Sequence, residues 1–314
     1  MGGYLMWRLL LAVPVVFLST VVVFFSVQLI PGDPALNRLG LEATPEQLQA
    51  LRKELALQRP LPEQYAAWLS HALRGDFGES QLNRHPTTSL VLGKLPATLE
   101  LSGVALCIAV AIAMPLGLAS ALAPRGVLNL GGVLLSSITM AIPTFWLGVI
   151  FILLFALRLK WLPATGRVPF VDDPVAALRH LVMPASTLGI VLAGILTRFV
   201  KTSTAEVLAH AYVTAARAKG LPPGRLLARH VVRNAAIPIA TVLALQMGTL
   251  LTGAVVTEAV FDWPGIGSLV VYSVLNKDYT VVQATVMLFV LVFVCINLSL
   301  DAVYALLDPR IRFD

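Results

Sequence analysis

The fold is decided by a helix stop set inside a strongly basic segment, Tyr212-Val213-Thr214-Ala215-Ala216-Arg217-Ala218-Lys219-Gly220-Leu221-Pro222-Pro223. The basic residues Arg217 and Lys219 suit a helix C-terminus, where the helix dipole is negative. Gly220 suits the left-handed position that ends a helix, and Pro222 falls where a helix cannot continue. Pro223 suits the first residue of a second helix. The pattern predicts two short helices joined by a sharp corner.

The corner lies between long apolar runs. Residues 198–233 contain seven Lys or Arg and the single acid Glu206, a local charge equal to the net charge of +6 on the whole chain. The chain is 57% hydrophobic and 13% charged, with a mean hydropathy of +0.82. Soluble domains carry roughly 25% charged residues. The composition therefore indicates an integral membrane protein, with the basic corner just outside the bilayer.

Six charge-free runs are long enough to cross a bilayer, which takes about 20 apolar residues. They predict an all-α membrane protein of one domain, residues 1–314, with six transmembrane helices. Prolines at positions 14, 115, 143 and 184 lie in or at the start of four of these runs, and we expect local kinks or a gating hinge there. The predicted spans are residues 9–30, 98–123, 131–157, 181–200, 236–258 and 283–306.

The loop charges predict the orientation. With the N-terminus inside, the inner segments hold eleven Lys or Arg, against five in the short outer loops. The long first outer loop is set aside because loops of that length carry little weight. Both termini and the basic loop, residues 201–235, are therefore expected in the cytoplasm. This basic charge marks the flanks of membrane spans and does not indicate a nucleic-acid site.

Residues 31–96 are expected to form a small helical cap on the extracytoplasmic side. Thr44, Pro45 and Gln47 form a capping box with a proline at the first helical position. Pro62 opens a second amphipathic helix, which Gly75 stops. The cap is either a lid packed on the helix ends or part of a docking surface for a soluble protein.

The sequence contains no pattern typical of a catalytic or metal site. There is no His-Glu-x-x-His, no Gly-x-Ser-x-Gly and no phosphate-binding loop, and the five histidines lack ligand spacing. We expect no catalytic residue, no metal site and no cofactor in this chain. Without a phosphate-binding loop the chain has no recognisable means to hydrolyse ATP. Energy for transport would therefore have to come from a partner.

Polar side chains in or near the spans are costly in a membrane and are candidates for function. Each either makes a structural hydrogen bond or contributes to a translocation path. The candidates for the path are Gln246, Thr249, Glu258, Asn297 and Asp301.

Short motifs with a distinctive combined order run from one end of the chain to the other. They are Pro31-Gly32-Asp33-Pro34, Gln64-Tyr65, Gly75-Asp76-Phe77-Gly78, Leu95-Pro96-Ala97-Thr98-Leu99-Glu100, Trp161-Leu162-Pro163, Thr214 to Leu221, Arg233-Asn234-Ala235, Thr257-Glu258, Phe261 with Trp263-Pro264-Gly265, and Asp308-Pro309-Arg310-Ile311-Arg312. Together they resemble the inner-membrane permease subunits of the peptide/nickel/opine class of ABC importers, nearly end to end.

The resemblance implies a type I importer permease fold and gives the basic corner a role. In that family the corresponding "EAA" loop docks into a cleft on the ATPase subunit. The family pattern begins Glu-Ala-Ala, and here Thr214 replaces the glutamate, so no acid-mediated contact is expected at that position. The residues expected to couple to the ATPase are Tyr212, Thr214, Ala215, Ala216, Arg217, Lys219, Gly220, Leu221 and Arg225.

The resemblance also implies partners and a location. The partners would be a second homologous permease, two ATPases that bind ATP and Mg, and an extracytoplasmic binding protein, with membrane lipid around the spans and no nucleic acid. The location would be a bacterial or archaeal cytoplasmic (inner) membrane. The residues expected to dock the binding protein are Gln64, Tyr65, Asp76, Phe77, Trp263 and Pro264.

The sequence leaves several classes of cargo possible. Di- and oligopeptides lead, because they are the commonest cargo of the family. Nickel chelates or other metallophores, glutathione and opines are the alternatives. A stand-alone channel or secondary transporter would leave the basic corner unexplained, and a membrane enzyme would lack its catalytic residues.

Overall fold

The structure is a computed structural model that describes residues 2–29, 35, 39, 43–54 and 58–307. Side chains are described for these residues except 2–5, 54, 251, 252 and 300–307. The described part is a bundle of helices, with α7 at its centre packed against α4, α5, α6 and α10. The helix α1 packs against α12 and touches α3.

Twelve α-helices are named here within the described residues, two of them continued by π-helical turns. Their bounds are α1 Gly2–Gln28, α2 Pro45–Glu54, α3 Leu61–Ala72, α4 Thr87–Leu122, α5 Val127–Ala141, α6 Thr144–Phe151 with its π-helical continuation Ile152–Arg158, α7 Pro174–Ala209, α8 Ala211–Ala218, α9 Pro223–Leu226 with its π-helical continuation Leu227–Val232, α10 Arg233–Val260, α11 Ile266–Leu275 and α12 Tyr279–Leu307.

Five of these helical segments are long and apolar enough to cross a membrane, and a bent pair, α5 with α6, raises the number to six. This agrees with the predicted all-α architecture of six spans. The helices extend well beyond the predicted limits of the spans. The helix α4 begins at Thr87, inside the segment predicted as cap, and α7 runs from Pro174 to Ala209, beyond both predicted ends.

The third predicted span, 131–157, differs from a single helix. It consists of α5 and α6, which meet at an angle of 102°. Pro143 has no N–H to continue the helical bonding, and it pushes Ile142 into an extended conformation with φ −95° and ψ 125°. The proline at 143 therefore divides the span, whereas Pro115 and Pro184 lie within continuous helices.

The most extensive helix contact in the bundle is between α4 and α7. Small side chains make this approach possible. Along α4 a buried residue recurs at every fourth position, so the set forms a continuous face that winds slowly around the helix. The residues of this face are Ala97, Leu101, Ala105, Ala109, Ala113, Gly117 and Ala121.

Glycines mark the points of closest contact. A Cβ on Gly189 of α7 would lie 2.8 Å from the backbone oxygen of Ala105, and one on Gly117 of α4 would lie 2.6 Å from the Cβ of Val200. Ala105 contacts Gly189, and further along both helices Gly117 contacts Val200, so α4 and α7 run parallel. In a bilayer such close packing of small residues stabilises helix association, because lipid supplies no hydrophobic drive.

The cap helices form as the sequence predicts. The capping box is confirmed, because Thr44 N–H donates to Gln47 Oε1 at 3.0 Å and Gln47 N–H donates to Thr44 Oγ1 at 3.3 Å. The helix α3 is attached to α1, where Tyr65 OH lies 2.8 Å from Thr20 Oγ1 and its ring packs on Phe24. Trp68 continues this aromatic cluster towards Phe77.

The close approach of α4 and α7 gives a stability prediction. We expect Gly189→Ala to lower the free energy of unfolding by about 1–3 kcal/mol, because the added methyl group meets the rigid backbone of α4. The measurement is the thermal midpoint of the purified protein in detergent. Gly103→Ala is the matched control, since a Cβ there meets nothing within 4 Å. Equal effects of the two changes would contradict the packing argument.

Candidate functional sites at the two ends of the bundle

The basic corner contains the helix stop that its sequence predicts. The helix α8 ends at Ala218, and Gly220 has φ +78°, in the left-handed region. Gly220 N–H donates to Arg217 O at 3.0 Å, and Leu221 N–H donates to Ala216 O at 3.3 Å. This pair of bonds is the Schellman motif, and it satisfies carbonyls that the end of the helix leaves free.

The second helix of the corner is not a separate short helix. It begins at Pro222–Pro223 as predicted, but it continues through the π-helical turn Leu227–Val232 directly into α10. The corner therefore sits at the end of a spanning helix. Any displacement of the corner acts directly on α10, since no flexible loop separates them.

The inner face of the corner is anchored in the core. Val213 is fully buried and belongs to one apolar cluster with Val207 of α7 and Leu226 of α9. Val231 and Ile239, further along the same continuous helix, complete that side of the cluster. Packed interiors transmit strain and resist compression. The corner is thus held rigidly against both α7 and α10.

The outer face of the corner is exposed. This face carries most of the residues predicted to couple to an ATPase, while Ala216 and Leu221 are half-buried beneath it. The rings of Tyr212 and His210 stack at 5.6 Å between centroids and enclose the start of α8. The exposed members are Tyr212, Thr214, Ala215, Arg217, Lys219, Gly220 and Arg225.

A buried carboxylate organises the opposite end of the bundle. Glu258 is fully buried near the end of α10 and accepts a hydrogen bond from Thr98 Oγ1 of α4 at 2.6 Å. Its second oxygen accepts from Ser268 N–H of α11 at 2.9 Å. Thr98 Oγ1 in turn accepts from Ile266 N–H at 2.8 Å. We call this set, Thr98, Glu258, Ile266 and Ser268, the Glu258 network; it ties three helices together.

The turn between α10 and α11 is shaped around this carboxylate. A Cβ on Gly265 would collide with the Glu258 carboxyl group, and one on Gly267 would lie 2.5 Å from Val255 Cα. Trp263 is fully buried, and its Nε1–H donates to Ala97 O at 2.9 Å. Glycine at 265 and 267 therefore lets the turn close over Glu258.

An ion pair covers the Glu258 network. Arg167, in the segment between α6 and α7, donates to Glu100 Oε2 through Nε at 3.0 Å and through a terminal nitrogen at 2.5 Å. Its guanidinium carbon also lies 5.8 Å from the ring centre of Trp263. Gly166 N–H donates to Phe261 O at 2.9 Å. These contacts hold the segment before α7 against the turn after α10.

A second buried acid attaches the cap to α12. Asp278 precedes α12 and accepts hydrogen bonds from Ser80 Oγ and from Gln81 N–H, the latter at 3.1 Å. Phe77 packs against a small apolar cluster that includes Val281 of α12. The cap turn is therefore a fixed part of the helix ends, as the lid interpretation expects.

The candidates for the translocation path are not brought together. Gln246 and Thr249 line a groove of about 590 Å³ between α1, α10 and α12. Asn297 Nδ2 donates to Phe293 O at 2.8 Å on its own helix. Glu258 is enclosed in its network at the end of α10. The side chain of Asp301 lies outside the described residues.

The candidates for binding-protein docking divide into exposed and buried residues. Asp76 is exposed and accepts from Gly78 N–H at 2.8 Å, and Gln64 is half-buried with its Nε2 donating to Arg59 O at 2.8 Å. Tyr65, Phe77 and Pro264 are half-buried. The structure corrects the docking assignment of Trp263. Its ring is fully buried, its Nε1–H donates to Ala97 O of α4, and it therefore cannot touch a second protein here.

Sequence reasoning did not single out Thr98, Arg167, Ser80 or Asp278. A signal was present for Thr98, since it lies in the same short motif as Glu100. The partners of all four lie between 67 and 198 residues away, a separation that no local pattern indicates. Among the described residues no group of three or more His, Cys, Asp or Glu side chains could hold a metal ion.

The Glu258 network gives a second prediction. We expect Thr98→Val to lower the free energy of unfolding by about 1–3 kcal/mol, because it removes one bond to a buried carboxylate and leaves Ile266 N–H without its acceptor. Thr87→Val is the matched control, since that hydroxyl is equally buried and has no hydrogen-bond partner. Chemical denaturation in detergent measures both. A control variant as unstable as Thr98→Val would refute this role.

Comparisons with known proteins agree on one family. The family model described as binding-protein-dependent transport system inner membrane component matches residues 113–313, and the model of its N-terminal part matches residues 1–102. The glutathione transport system permease protein of Salmonella typhimurium is 37% identical over 313 residues and is covered completely, as is this chain.

A protein of Brucella abortus, whose name assigns it to a peptide transport system permease, is 34% identical over 314 residues with complete coverage of both chains. The methionine ABC transporter MetNI supplies a solved structure with a TM-score of 0.56 at 18% identity, covering 70% of this chain and 96% of that one. This likeness supports the helical fold of the described bundle. The chain thus belongs to the family of binding-protein-dependent transport system inner membrane components and is a multi-pass permease subunit of an ABC importer.

Proposed function

We propose that this permease moves small peptides, with glutathione among them, and is driven by ATPase subunits that bind the basic corner. The observation that carries the proposal is the construction of the corner: its outer face is exposed and its inner face is locked into the core. An exposed face on a rigid support is suited to receive a force from another protein.

The corner is built to pass displacement to the spans. The Schellman motif fixes the end of α8, and Val213 fixes α8 to α7 and α10. The second helix of the corner continues into α10 without a break. A push on α8 would therefore rotate or shift α10 as a unit, which is the type of motion that switches packed helices between two arrangements.

The chemistry of the exposed face suits an acidic or polar partner surface. Arg217 and Lys219 lie at the end of α8, and Arg225 faces solvent on the next helix. Thr214 supplies a neutral hydroxyl where the family pattern has an acid, so the contact at that position is uncharged. We propose two ATPases and a second homologous permease as partners, by analogy with the family.

The opposite end would receive the binding protein. The cap turn around Asp76 is exposed yet fixed through the Asp278 contacts and the aromatic cluster on α3. A fixed and exposed surface can dock a soluble protein with little loss of entropy on ordering. Trp263 supports this surface from inside instead of touching the partner.

The cargo proposal rests on the relatives named for glutathione and for peptides. Glutathione is itself a modified tripeptide, so the two names describe related chemistry. The test is ligand binding by the cognate binding protein, measured by calorimetry with glutathione, dipeptides and nickel chelates. Binding of glutathione or peptides is the expected result. Binding of nickel chelates alone would overturn the peptide assignment.

Coupling gives a further prediction. We expect Gly220→Val to reduce ATP-driven uptake about tenfold, because a β-branched residue in the left-handed region is strained by about 1–2 kcal/mol or more, although the surrounding space is open. Uptake of labelled cargo into vesicles holding the complete transporter measures the effect.

Two controls separate strain from size. Gly220→Asn should keep most of the uptake, since asparagine tolerates the left-handed region. Gly224→Val adds the same bulk four residues later at a glycine with open space and no positive φ, and it should also keep uptake. Full uptake by Gly220→Val, with normal amounts in the membrane, would refute the coupling role of the corner.

A further inference from the structure

A cavity lined by polar and apolar side chains of α5 and α7, and by Ser120 of α4, lies on the side of the bundle that carries the basic corner. Its volume is about 290 Å³. The wall formed by α7 carries Arg198 and Lys201, one helical turn apart, so both cations face the same space. The remaining lining residues are Ser120, Gly132, Val133, Ser136, Ser137, Met140, Thr197 and Thr202.

Three of the hydroxyl groups in the cavity already donate to backbone oxygens. Ser120 Oγ donates to Leu116 O at 2.6 Å. Ser136 Oγ donates to Gly194 O at 2.7 Å and joins α5 to α7. Thr197 Oγ1 donates to Ala193 O at 2.6 Å. The floor of the cavity is therefore fixed by bonds within and between the two helices.

Four other polar groups in the cavity have no protein partner in the described part of the chain. Neither Arg198 nor Lys201 has a carboxylate within 4.0 Å, and neither Ser137 nor Thr202 makes a side-chain hydrogen bond among those residues. Two cations and two hydroxyls that converge on one space form a set of donors without an acceptor. Such a set suits a phosphate group, which supplies several strong acceptor oxygens.

The position of the cavity relative to the bilayer indicates which molecule carries that phosphate. The charge-free stretch of α7 from His180 to Thr197 has 18 residues, about 27 Å of helix and close to the ~30 Å thickness of bilayer hydrocarbon. Arg198 directly follows this stretch, so it lies at the level of lipid headgroups. The exposed side chains of Val133 and Met140 continue from the cavity along α5, where acyl chains would pack.

We propose that this cavity binds the phosphate headgroup of an anionic phospholipid, with Arg198 and Lys201 on the phosphate, Ser137 and Thr202 on its oxygens or on the glycerol, and the acyl chains along α5. The predicted orientation places this lipid in the cytoplasmic leaflet. The lipid would join α5, which precedes the 102° bend, to α7, which leads into the coupling corner. Anionic lipid would then stabilise the helix pair that supports the corner.

The experiment uses the complete transporter, purified in neutral detergent and supplied with phosphatidylcholine, with phosphatidylglycerol or with inorganic phosphate. Native mass spectrometry measures retained lipid and its affinity, and thermal unfolding measures stabilisation. We expect phosphatidylglycerol alone to be retained and to raise the midpoint. The double variant Arg198→Gln/Lys201→Gln should weaken this binding about thirtyfold, since each surface cation contributes about a fivefold gain in affinity for anionic lipid.

Matched variants test the cavity itself. Arg229→Gln/Arg233→Gln removes the same charge from exposed positions beside the corner that do not line the cavity, and it should keep the lipid. Ser137→Phe fills the cavity while leaving both cations, and it should lose the lipid. Arg198→Lys keeps the charge and should retain the lipid. An unchanged thermal midpoint of the double variant without lipid separates lost binding from a folding defect.

Three results would overturn the proposal. Equal weakening by the two double variants would mean that net charge, and not this cavity, attracts the lipid. Unchanged affinity in Ser137→Phe would place the lipid elsewhere. Stabilisation by inorganic phosphate without retention of phosphatidylglycerol would assign the cavity to a free anion.

Discussion

The structure depends on how closely α4 and α7 can approach each other. In a lipid bilayer no hydrophobic effect drives apolar helix surfaces together. Lipid chains are as apolar as leucine side chains, so helix pairing in a membrane relies on close contact between backbones. The stripe of alanine and glycine on α4 and Gly189 on α7 supply that contact, while Gly194 on α7 lets α5 approach at Thr139. Because the two helices run parallel, one tightly packed pair fixes both ends of the bundle.

The two ends use this support in different ways. At one end the Glu258 network gives both oxygens of a buried carboxyl group a donor, one from α4 and one from α11. Opening this junction is costly, because a buried polar group that loses its hydrogen bonds carries a desolvation penalty. At the other end the corner buries only its apolar inner face and leaves its polar and basic face to solvent. The bundle is therefore closed where its helices meet the cap and open to partners where α8 turns.

Local rules predicted the parts of the molecule that depend on local chemistry. The stop at Gly220 and the capping box at Thr44 each follow from the conformational limits of one or two residues. The sequence predicted local kinks or a hinge at four prolines, and at Pro143 the span is divided into two helices. The pairing of Thr98 with Glu258 could not be predicted, because it joins positions 160 residues apart. The merging of α9 into α10 was missed because proline marks where a helix starts and carries no signal of its length.

The chemistry of the polar groups explains why four candidates for the translocation path, Gln246, Thr249, Glu258 and Asn297, do not share one site in the described part of the chain. Gln246 and Thr249 face a groove between α1, α10 and α12. Both carboxyl oxygens of Glu258 accept hydrogen bonds within its network at the end of α10. A polar group held by strong internal bonds cannot also exchange hydrogen bonds with a passing solute without paying to break them. Glu258 therefore holds α4, α10 and α11 together. If α10 moves when the corner is pushed, we expect it to turn about the Glu258 network and to change the width of the groove beside Gln246.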